Sequence, residues 1–217
     1  MAQFAVIGLG SFGGSAAQEL MRLGHEVIGL DKEAKYVNRL STVITFAAIA
    51  DATDESVLKE LNLQQCEAVL VAIGEDIEAS ILCVVHLKNL GIEKILVKAK
   101  TNAHHMILNY LNVTKIIHPE EQMGVRVAQA LNYPMVNQYM SLGTQHFIVS
   151  IDTPKHMQGL NLGRMMDSYP KITVIMIIRD EKFIKEFSPD MTLNVCDTLV
   201  LEGHLTELSR LAKKFKE

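Results

Sequence analysis

Short apolar runs alternate with longer amphipathic stretches along the first 131 residues of the chain. The apolar runs are nearly continuous, which is typical of strands that are buried on both faces of a sheet. Five of these runs lie in FAVI, HEVIGLD, TVITFAAIAD, EAVLVAIG and KILVKAK. The stretches between them carry apolar residues at helical spacing. The alternation predicts an α/β fold, a doubly wound parallel sheet with helices on both faces.

The rhythm changes after Leu131. The stretch NYPMVNQYMSLG has a proline, polar residues and no clean period, which is typical of a linker or a hinge helix. We therefore expect three parts: a domain over residues 1–131, a linker over 132–145 and a second domain over 146–217.

The second domain is predicted to be a small α+β module. Its apolar runs include FIVSID, ITVIMIIR and TLVLEG, with a turn expected at Asp180 and Glu181. A module of this size is marginally stable alone, so we expect it to pair with a second copy. We interpret Met165, Met166 and the ITVIMII run as part of a dimer core.

A glycine pattern follows the first apolar run. Gly8, Gly10 and Gly13 have the G-x-G-x-x-G spacing of the turn between the first strand and helix of a dinucleotide-binding, Rossmann-like fold. Gly8 allows the tight turn, Gly10 lets a pyrophosphate approach the backbone, and Gly13 lets the helix pack on the strand. The positive N-terminus of that helix would face the phosphates.

Asp31 ends the second apolar run, 18 residues after Gly13. An acid at about this distance accepts the ribose hydroxyls in such folds. The alternative is that Asp31 only caps the helical segment that begins at Lys32. Both interpretations keep the strand-helix-strand unit.

The other predicted strands also end in polar or small residues, and ligands of parallel sheets bind outside the carboxyl ends of the strands. We therefore expect one crevice to gather the glycine turn, Asp31, Asp51, Gly74, Lys98 and Glu120. Capping of the next helix by Thr53 or Asp54 is an alternative explanation of the polar cluster after Asp51.

Composition limits the classes of partner and the kinds of site that the chain can have. The net charge is −4 with a pI near 6.1, and no basic stripe is present, so a nucleic-acid partner is not expected. The three cysteines are too widely spaced for a disulfide framework, and the eight histidines form no metal-ligand motif. Because the chain enters a strand directly and has no apolar stretch of about 20 residues, we expect a cytoplasmic protein.

Longer motifs are more specific than the glycines. The segments FAVIGLGSFGGS, ADATDE, VAIGED, VKAKTNAHH and above all IIHPEEQMGVRVAQ resemble the RCK family, the regulators of potassium conductance, also called KTN. The similarity extends over both predicted domains and is to the cytosolic regulatory subunits of Ktr-type bacterial potassium uptake systems.

The resemblance implies a non-enzymatic sensor. In this family, dimers assemble into an octameric ring beneath a potassium-translocating membrane subunit, so the protein would be peripheral to the membrane through its partner. The implied ligands are ATP or ADP, in some members NAD or NADH, with Mg²⁺ or Ca²⁺ at the dimer interface. In some relatives the second domain binds a cyclic dinucleotide, so a second-messenger pocket at Met165, Met166 and the ITVIMII run is the alternative to a dimer core there. Assembly contacts are expected in the helix over residues 121–131 and near Tyr139.

The resemblance also assigns ligand-binding roles to individual residues. Gly8, Gly10 and Gly13 would hold the phosphates together with the amides of Ser11 and Phe12. Asp31, beside Lys32, would bind the ribose, and Asp51 and Ala52 would lie by the adenine. Gly74 and Lys98 would line the phosphate side, and Glu120 would hold the divalent cation. Glu120 also stands at a helix start, where the macrodipole favours acids without any metal.

Two positions depart from the family pattern. Many relatives carry arginine where this chain has Ser11, so a direct cationic contact to a terminal phosphate is missing unless Lys98 supplies a point charge. Ala50 stands where glycine is common, which changes only local backbone freedom.

The main rival hypothesis is an NAD-dependent oxidoreductase or a redox sensor on the same fold. None of the five tyrosines is followed four positions later by lysine, so the catalytic pair of short-chain dehydrogenases is absent. A redox-sensing transcriptional regulator would need a basic helix-turn-helix, which the sequence lacks.

Overall fold

Parallel strands and helices alternate in the amino-terminal part of the chain. The computed structural model describes residues 1–132, 136–188 and 190–216, which form two units, Met1–Glu121 and Gln122–Glu217. The strands of the first unit are β1 (Gln3–Ile7), β2 (Glu26–Asp31), β3 (Phe46–Ile49), β4 (Ala68–Val71), β5 (Ile95–Lys98) and β6 (Lys115–Ile117). The helices are α1 (Ser11–Arg22), α2 (Ala34–Leu40), α3 (Glu55–Glu60), α4 (Ile77–Asn89), α5 (Asn102–Tyr110) and α6 (Pro119–Asn132), which continues into the second unit.

The six strands form one parallel sheet in the order β3-β2-β1-β4-β5-β6. This is the doubly wound order, in which the direction of winding reverses between β1 and β4. Alternate residues of β1 enter opposite cores: Val6 packs on one face with Leu9 and Val27, while Ile7 packs on the other with Val71. The continuous apolar runs thus reflect burial on both faces, and the predicted α/β fold class is confirmed.

The second unit is built on an antiparallel sheet in the order β10-β9-β11-β8-β7. Its strands are β7 (Val136–Gly143), β8 (His146–Asp152), β9 (Ile172–Arg179), β10 (Lys182–Ile184) and β11 (Thr198–His204), and its further helices are α7 (Leu162–Asp167) and α8 (Leu205–Lys216). The turn predicted at Asp180 and Glu181 joins β9 to β10, and both residues have positive φ, as a two-residue hairpin turn requires.

Residues 136–143 are not a linker or a hinge helix, so that expectation is wrong. They form β7, which pairs antiparallel with β8 through a turn at Thr144 and Gln145. Tyr139 and Phe147 pack across the pair with their ring centroids 4.5 Å apart. The strand depends on this partner, which a local pattern does not reveal. Residues 133–135 of the expected linker lie outside the described residues.

A buried ion pair holds the loop before β11. The Asp197 carboxylate is 1% exposed and accepts two hydrogen bonds of 2.7 Å from the Arg179 guanidinium and one of 2.7 Å from the Asn194 amide. Burial alone would raise the pKa of Asp197, but the hydrogen bonds from Arg179 and Asn194 outweigh it and lower the pKa below its usual value.

Replacing Asp197 by asparagine should lower the free energy of unfolding by about 3 kcal/mol, because Arg179 is left without its counter-charge. The folded-state pKa of Asp197 is lowered, so its stabilising contribution is complete above the ordinary value of about 3.9 and is lost as the pH falls below it. Urea unfolding of the full chain between pH 7 and pH 3 measures both effects. The exposed Asp167→Asn is the control, and equal stability of the two variants at pH 7 would contradict the prediction.

Candidate functional site

A crevice of about 580 Å³ opens at the carboxyl edge of the parallel sheet, where the winding reverses between β1 and β4. The crevice is lined by all the residues that the sequence predicts to lie together at this edge, except Gly13. Gly13 lies beneath the glycine turn. The lining residues include Gly8, Gly10, Ser11, Phe12, Asp31, Lys32, Asp51, Ala52, Gly74, Lys98 and Glu120. The sheet topology therefore brings residues more than 100 positions apart into one site.

The three glycines of the turn differ in what surrounds them. A Cβ on Gly13 would lie 1.9 Å from the carbonyl oxygen of Gly8, so only glycine lets α1 approach β1 this closely. Gly8 has a φ of +93°, and its Cβ would lie 2.8 Å from the backbone of Ala72. A Cβ on Gly10 would meet nothing within 4 Å. Gly10 therefore faces open space in the crevice, while Gly8 and Gly13 pack against backbone.

The amino terminus of α1 faces the same space. Gly10 is its N-cap and supplies no side-chain hydrogen bond, and the first turn of α1 contains no acidic residue. Ser11 and Phe12 begin the helix and line the crevice. The backbone N–H groups at this end, together with the helix dipole, favour an anionic group in the crevice.

Asp31 lines the crevice and is hydrogen-bonded to the glycine turn. One carboxylate oxygen accepts a 2.6 Å hydrogen bond from the Leu9 amide, and the other accepts a 2.8 Å bond from the Glu33 amide. The second bond is a local contact to Glu33, the N-cap residue of α2, and that helix has no side-chain cap, so Asp31 does not cap α2. Because a carboxylate offers about four acceptor positions, Asp31 can still bind hydroxyl groups from the crevice.

Asp51 and Ala52 lie beyond β3. Asp51 accepts hydrogen bonds from the amide and the hydroxyl of Thr53, at 2.9 and 2.8 Å, and these bonds lower the pKa of Asp51. Asp54, not Thr53, caps α3 by accepting a 2.9 Å bond from the Ser56 amide. Helix capping thus explains Asp54, whereas Asp51 borders the crevice as an ionised acid.

Lys98 and Glu120 are paired with each other. The Lys98 ammonium lies 2.5 Å from the Glu120 carboxylate, and its hydrogen bond lowers the pKa of Glu120. The Lys98 side chain is 13% exposed and that of Glu120 is 70% exposed. A Cβ on Gly74 would lie 2.9 Å from the Lys98 ammonium, so the glycine leaves room for this charge. The residue predicted for the phosphate and the one predicted for the cation are therefore direct neighbours.

Two further ion pairs border the crevice. Lys32 lies 3.8 Å from Asp76, so it connects the loops after β2 and β4, and Lys100 lies 2.6 Å from Glu75. These pairs are largely exposed, and each contributes little to stability. They place both signs of charge at the entrance.

The fit of a divalent cation is limited by the number of ligands. Within the part of the chain that the structure describes, no three histidine, cysteine or carboxylate side chains are arranged to hold a metal ion. Glu120 offers one exposed carboxylate. A cation at Glu120 would thus need most of its oxygen ligands from phosphate groups, water or a second subunit.

Sequence reasoning missed several residues in the crevice or behind its wall. Tyr36 and Lys35 on α2 line the crevice, with the Lys35 ammonium 4.8 Å from the Tyr36 ring centroid. Arg39 donates a 2.9 Å hydrogen bond to the Leu9 carbonyl, and a Cβ on Gly14 would lie 2.9 Å from its guanidinium. The available signal was Gly14 itself, because a second consecutive glycine inside a helix is costly and needs a packing reason.

The described part of the second unit contains a cavity lined by Val136, Tyr139, Val149, Ile151 and residues of α8. Its volume is about 10 Å³, too small for a nucleotide. Met165 packs in the core of its own unit, with Met166 beside it.

Comparisons with known proteins agree with this architecture. The TrkA-N domain model matches residues 4–119. Over 96% of the chain, 37% of residues are identical to the Ktr system potassium uptake protein A of Bacillus subtilis (strain 168), 94% of which is covered. The protein of the same name from Vibrio alginolyticus is 31% identical over 99% of this chain and 96% of that one.

Among solved structures, the GsuK RCK domain superposes with a TM-score of 0.63 at 14% sequence identity, covering all of this chain and 48% of that one. This likeness concerns the fold. No helix in the described ranges is long and apolar enough to cross a membrane.

Proposed function

Because the chain belongs to the RCK family, among the regulators of Ktr-type potassium uptake, we propose that it senses a nucleotide and thereby gates a potassium-translocating membrane subunit. In this proposal ATP favours the conformation that activates transport and ADP favours the inactive one. The protein binds the nucleotide without catalysing a reaction. Its membrane partner holds it at the cytoplasmic face of the membrane.

The crevice carries the proposal. The open space at Gly10 and the start of α1, which has no side-chain cap, suit phosphate groups. The Asp31 carboxylate lines the same crevice and suits a ribose. In this placement Asp51 and Ala52 lie by the adenine. The carboxyl end of β5 would face the phosphate side, where Lys98 supplies the positive charge that Ser11 lacks.

Discrimination between ATP and ADP would depend on charge. ATP carries one more phosphate group, and two terminal phosphates facing each other across a dimer repel unless a cation lies between them. Glu120 would hold that Mg²⁺ or Ca²⁺. Lys98 already neutralises Glu120 in this structure, so a cation at Glu120 would leave the Lys98 ammonium available to a phosphate. A ligand shifts the equilibrium between two ring conformations only to the extent that its affinities for them differ.

Assembly into dimers and an octameric ring is part of the proposal. Met123, Val127 and Leu131 recur every fourth residue on α6, and each is about half exposed or more. Such a stripe lies on one face of a helix. A second copy of the chain is the partner that we propose for it.

NAD or NADH is the second candidate ligand. A crevice of about 580 Å³ has room for a dinucleotide, and an acid at the position of Asp31 suits an unphosphorylated ribose. Binding of NADH alone would favour a redox-linked sensor.

The proposal predicts tight ATP and ADP binding that Gly10→Asp abolishes. The new carboxylate would enter the open space without disturbing the packing and would repel the phosphates, lowering affinity by at least about 100-fold. Isothermal titration with and without Mg²⁺ measures this. Gln18→Glu adds the same charge on the exposed side of α1 and should stay within about twofold of the parent chain.

Three results would count against the proposal. If the unmodified chain binds neither nucleotide, the sensing role fails. If Gly10→Asp binds as the parent does, the ligand lies outside the crevice. Small-angle scattering of the same samples tests the gating step, for which identical dimensions with ATP and with ADP would be the negative result.

A further inference from the structure

The peptide groups on both sides of Leu9, between Gly8 and Gly10, are held from outside the turn. The Leu9 N–H donates to the Asp31 carboxylate at 2.6 Å, and the Leu9 carbonyl accepts from the Arg39 guanidinium at 2.9 Å. The Leu9 side chain is fully buried in the core beneath α1 and α2. The turn is thus fixed at three points, of which two are polar side chains from the β2–α2 region.

Gly14 makes the Arg39 contact possible. A Cβ at this position would lie 2.9 Å from the Arg39 guanidinium and 3.1 Å from the Leu9 carbonyl oxygen. Gly14 is the glycine that the dinucleotide spacing does not require. The space that it leaves is occupied by the end of the arginine side chain.

We propose that Arg39 is a positioning residue that holds the glycine turn in its phosphate-binding geometry through the Leu9 carbonyl. Arg39 does not line the crevice and so would not touch the ligand. It acts by restricting the peptide that precedes Gly10, so the turn loses less conformational entropy when phosphate binds. This inference rests on the proposed nucleotide site and adds a residue that supports it.

The contact also connects the turn to the crevice wall. The guanidinium carbon of Arg39 lies 5.6 Å from the Tyr36 ring centroid, one turn earlier on α2, and Tyr36 lines the crevice. Displacement of Arg39 therefore affects the turn and the support of Tyr36 together.

A plainer role for Arg39 is a positive charge in the last turn of α2, where the helix dipole favours it. The two roles are separated by Gly14→Ala. This variant keeps the arginine and its charge but pushes the guanidinium from the Leu9 carbonyl. It also replaces a helical glycine by a better helix former, so the dipole role predicts no loss of binding.

The test is a double-mutant cycle of Arg39→Met and Gly14→Ala, read by titration with ADP and with adenosine. Each single variant should weaken ADP binding about tenfold, the effect of losing one such hydrogen bond. Adenosine binding should change less than about twofold, because adenosine has no phosphate. The double variant should bind ADP like Arg39→Met, because both changes remove the same contact.

The control is Arg22→Met, which removes an exposed arginine from α1 that pairs with Glu19, three residues earlier on the same helix. Additive losses in the double variant, or equal losses for ADP and adenosine, would overturn the proposal while leaving the nucleotide site intact. Amide hydrogen exchange over residues 8–13 without nucleotide adds an independent measure. Exchange should be faster in Arg39→Met than in Arg22→Met, and equal rates would refute the positioning role whether or not any nucleotide binds.

Discussion

Gly13→Ala is expected to destabilise the protein by about 3 kcal/mol or more, the upper range for overpacking a tight contact. The added methyl group would lie 1.9 Å from the Gly8 carbonyl oxygen and 2.9 Å from the Ala72 Cβ. Both obstacles are backbone or a short side chain, so no rotamer change relieves them. Helix α1 would have to move off the sheet, and the glycine turn would move with it.

Gly10→Ala is the matched control for stability, because its methyl group meets nothing within 4 Å. Gly10 is also the N-cap of α1, where alanine costs about 1 kcal/mol relative to glycine. The free energies of unfolding of the two variants, measured by thermal and urea unfolding, should therefore differ by about 2 kcal/mol or more. Equal melting temperatures would show that the close approach of α1 to β1 is not needed, and the structural interpretation of the third glycine would then be wrong.

Asp31→Asn is expected to weaken ATP, ADP and NAD binding by about 100-fold or more. Hydrogen bonds to a charged acceptor contribute about 1.5 to 3 kcal/mol each, and a ribose offers two hydroxyl groups. Asparagine has only one acceptor oxygen, whereas the two oxygens of Asp31 accept separately from Leu9 and Glu33. Its amide would therefore face an N–H donor and loosen the turn as well.

Titration calorimetry measures the loss, and Asp167→Asn, an exposed change on α7, controls for the removal of one charge. A cooperative unfolding transition well above the assay temperature is required for the result to report on binding, because the loosened turn also lowers the melting temperature. Unchanged affinity in Asp31→Asn would place the ribose elsewhere and leave Asp31 with its two backbone contacts alone.

Much of the site was predictable because its parts follow strand ends. Each buried strand was recognisable as an apolar run, and parallel strands present their carboxyl ends at one edge of the sheet. Gly8, Gly10, Asp31, Asp51, Gly74 and Lys98 all follow from that rule and lie in the crevice. Their roles toward a nucleotide are still predictions.

The ion pair of Lys98 with Glu120 was not predictable in the same way. Both residues were placed in the crevice, but each was assigned to a different part of the ligand. Their separation of 22 positions carries no periodic signal, and only the pairing of β5 with β6 brings the start of α6 beside Lys98. Strand β7 was missed for a similar reason, since its hydrogen-bond partner is β8.

The sequence by itself determined the layered α/β order, the glycine turn and the membership in its family, because hydrophobic period and glycine spacing act over a few residues at a time. Tertiary structure alone decided how the turn is held. Arg39 reaches the Leu9 carbonyl across 30 positions, through space that Gly14 leaves open. Such a contact depends on how α2 packs beside α1. That packing is stabilised by many core residues from distant parts of the chain, so no local sequence pattern predicts it.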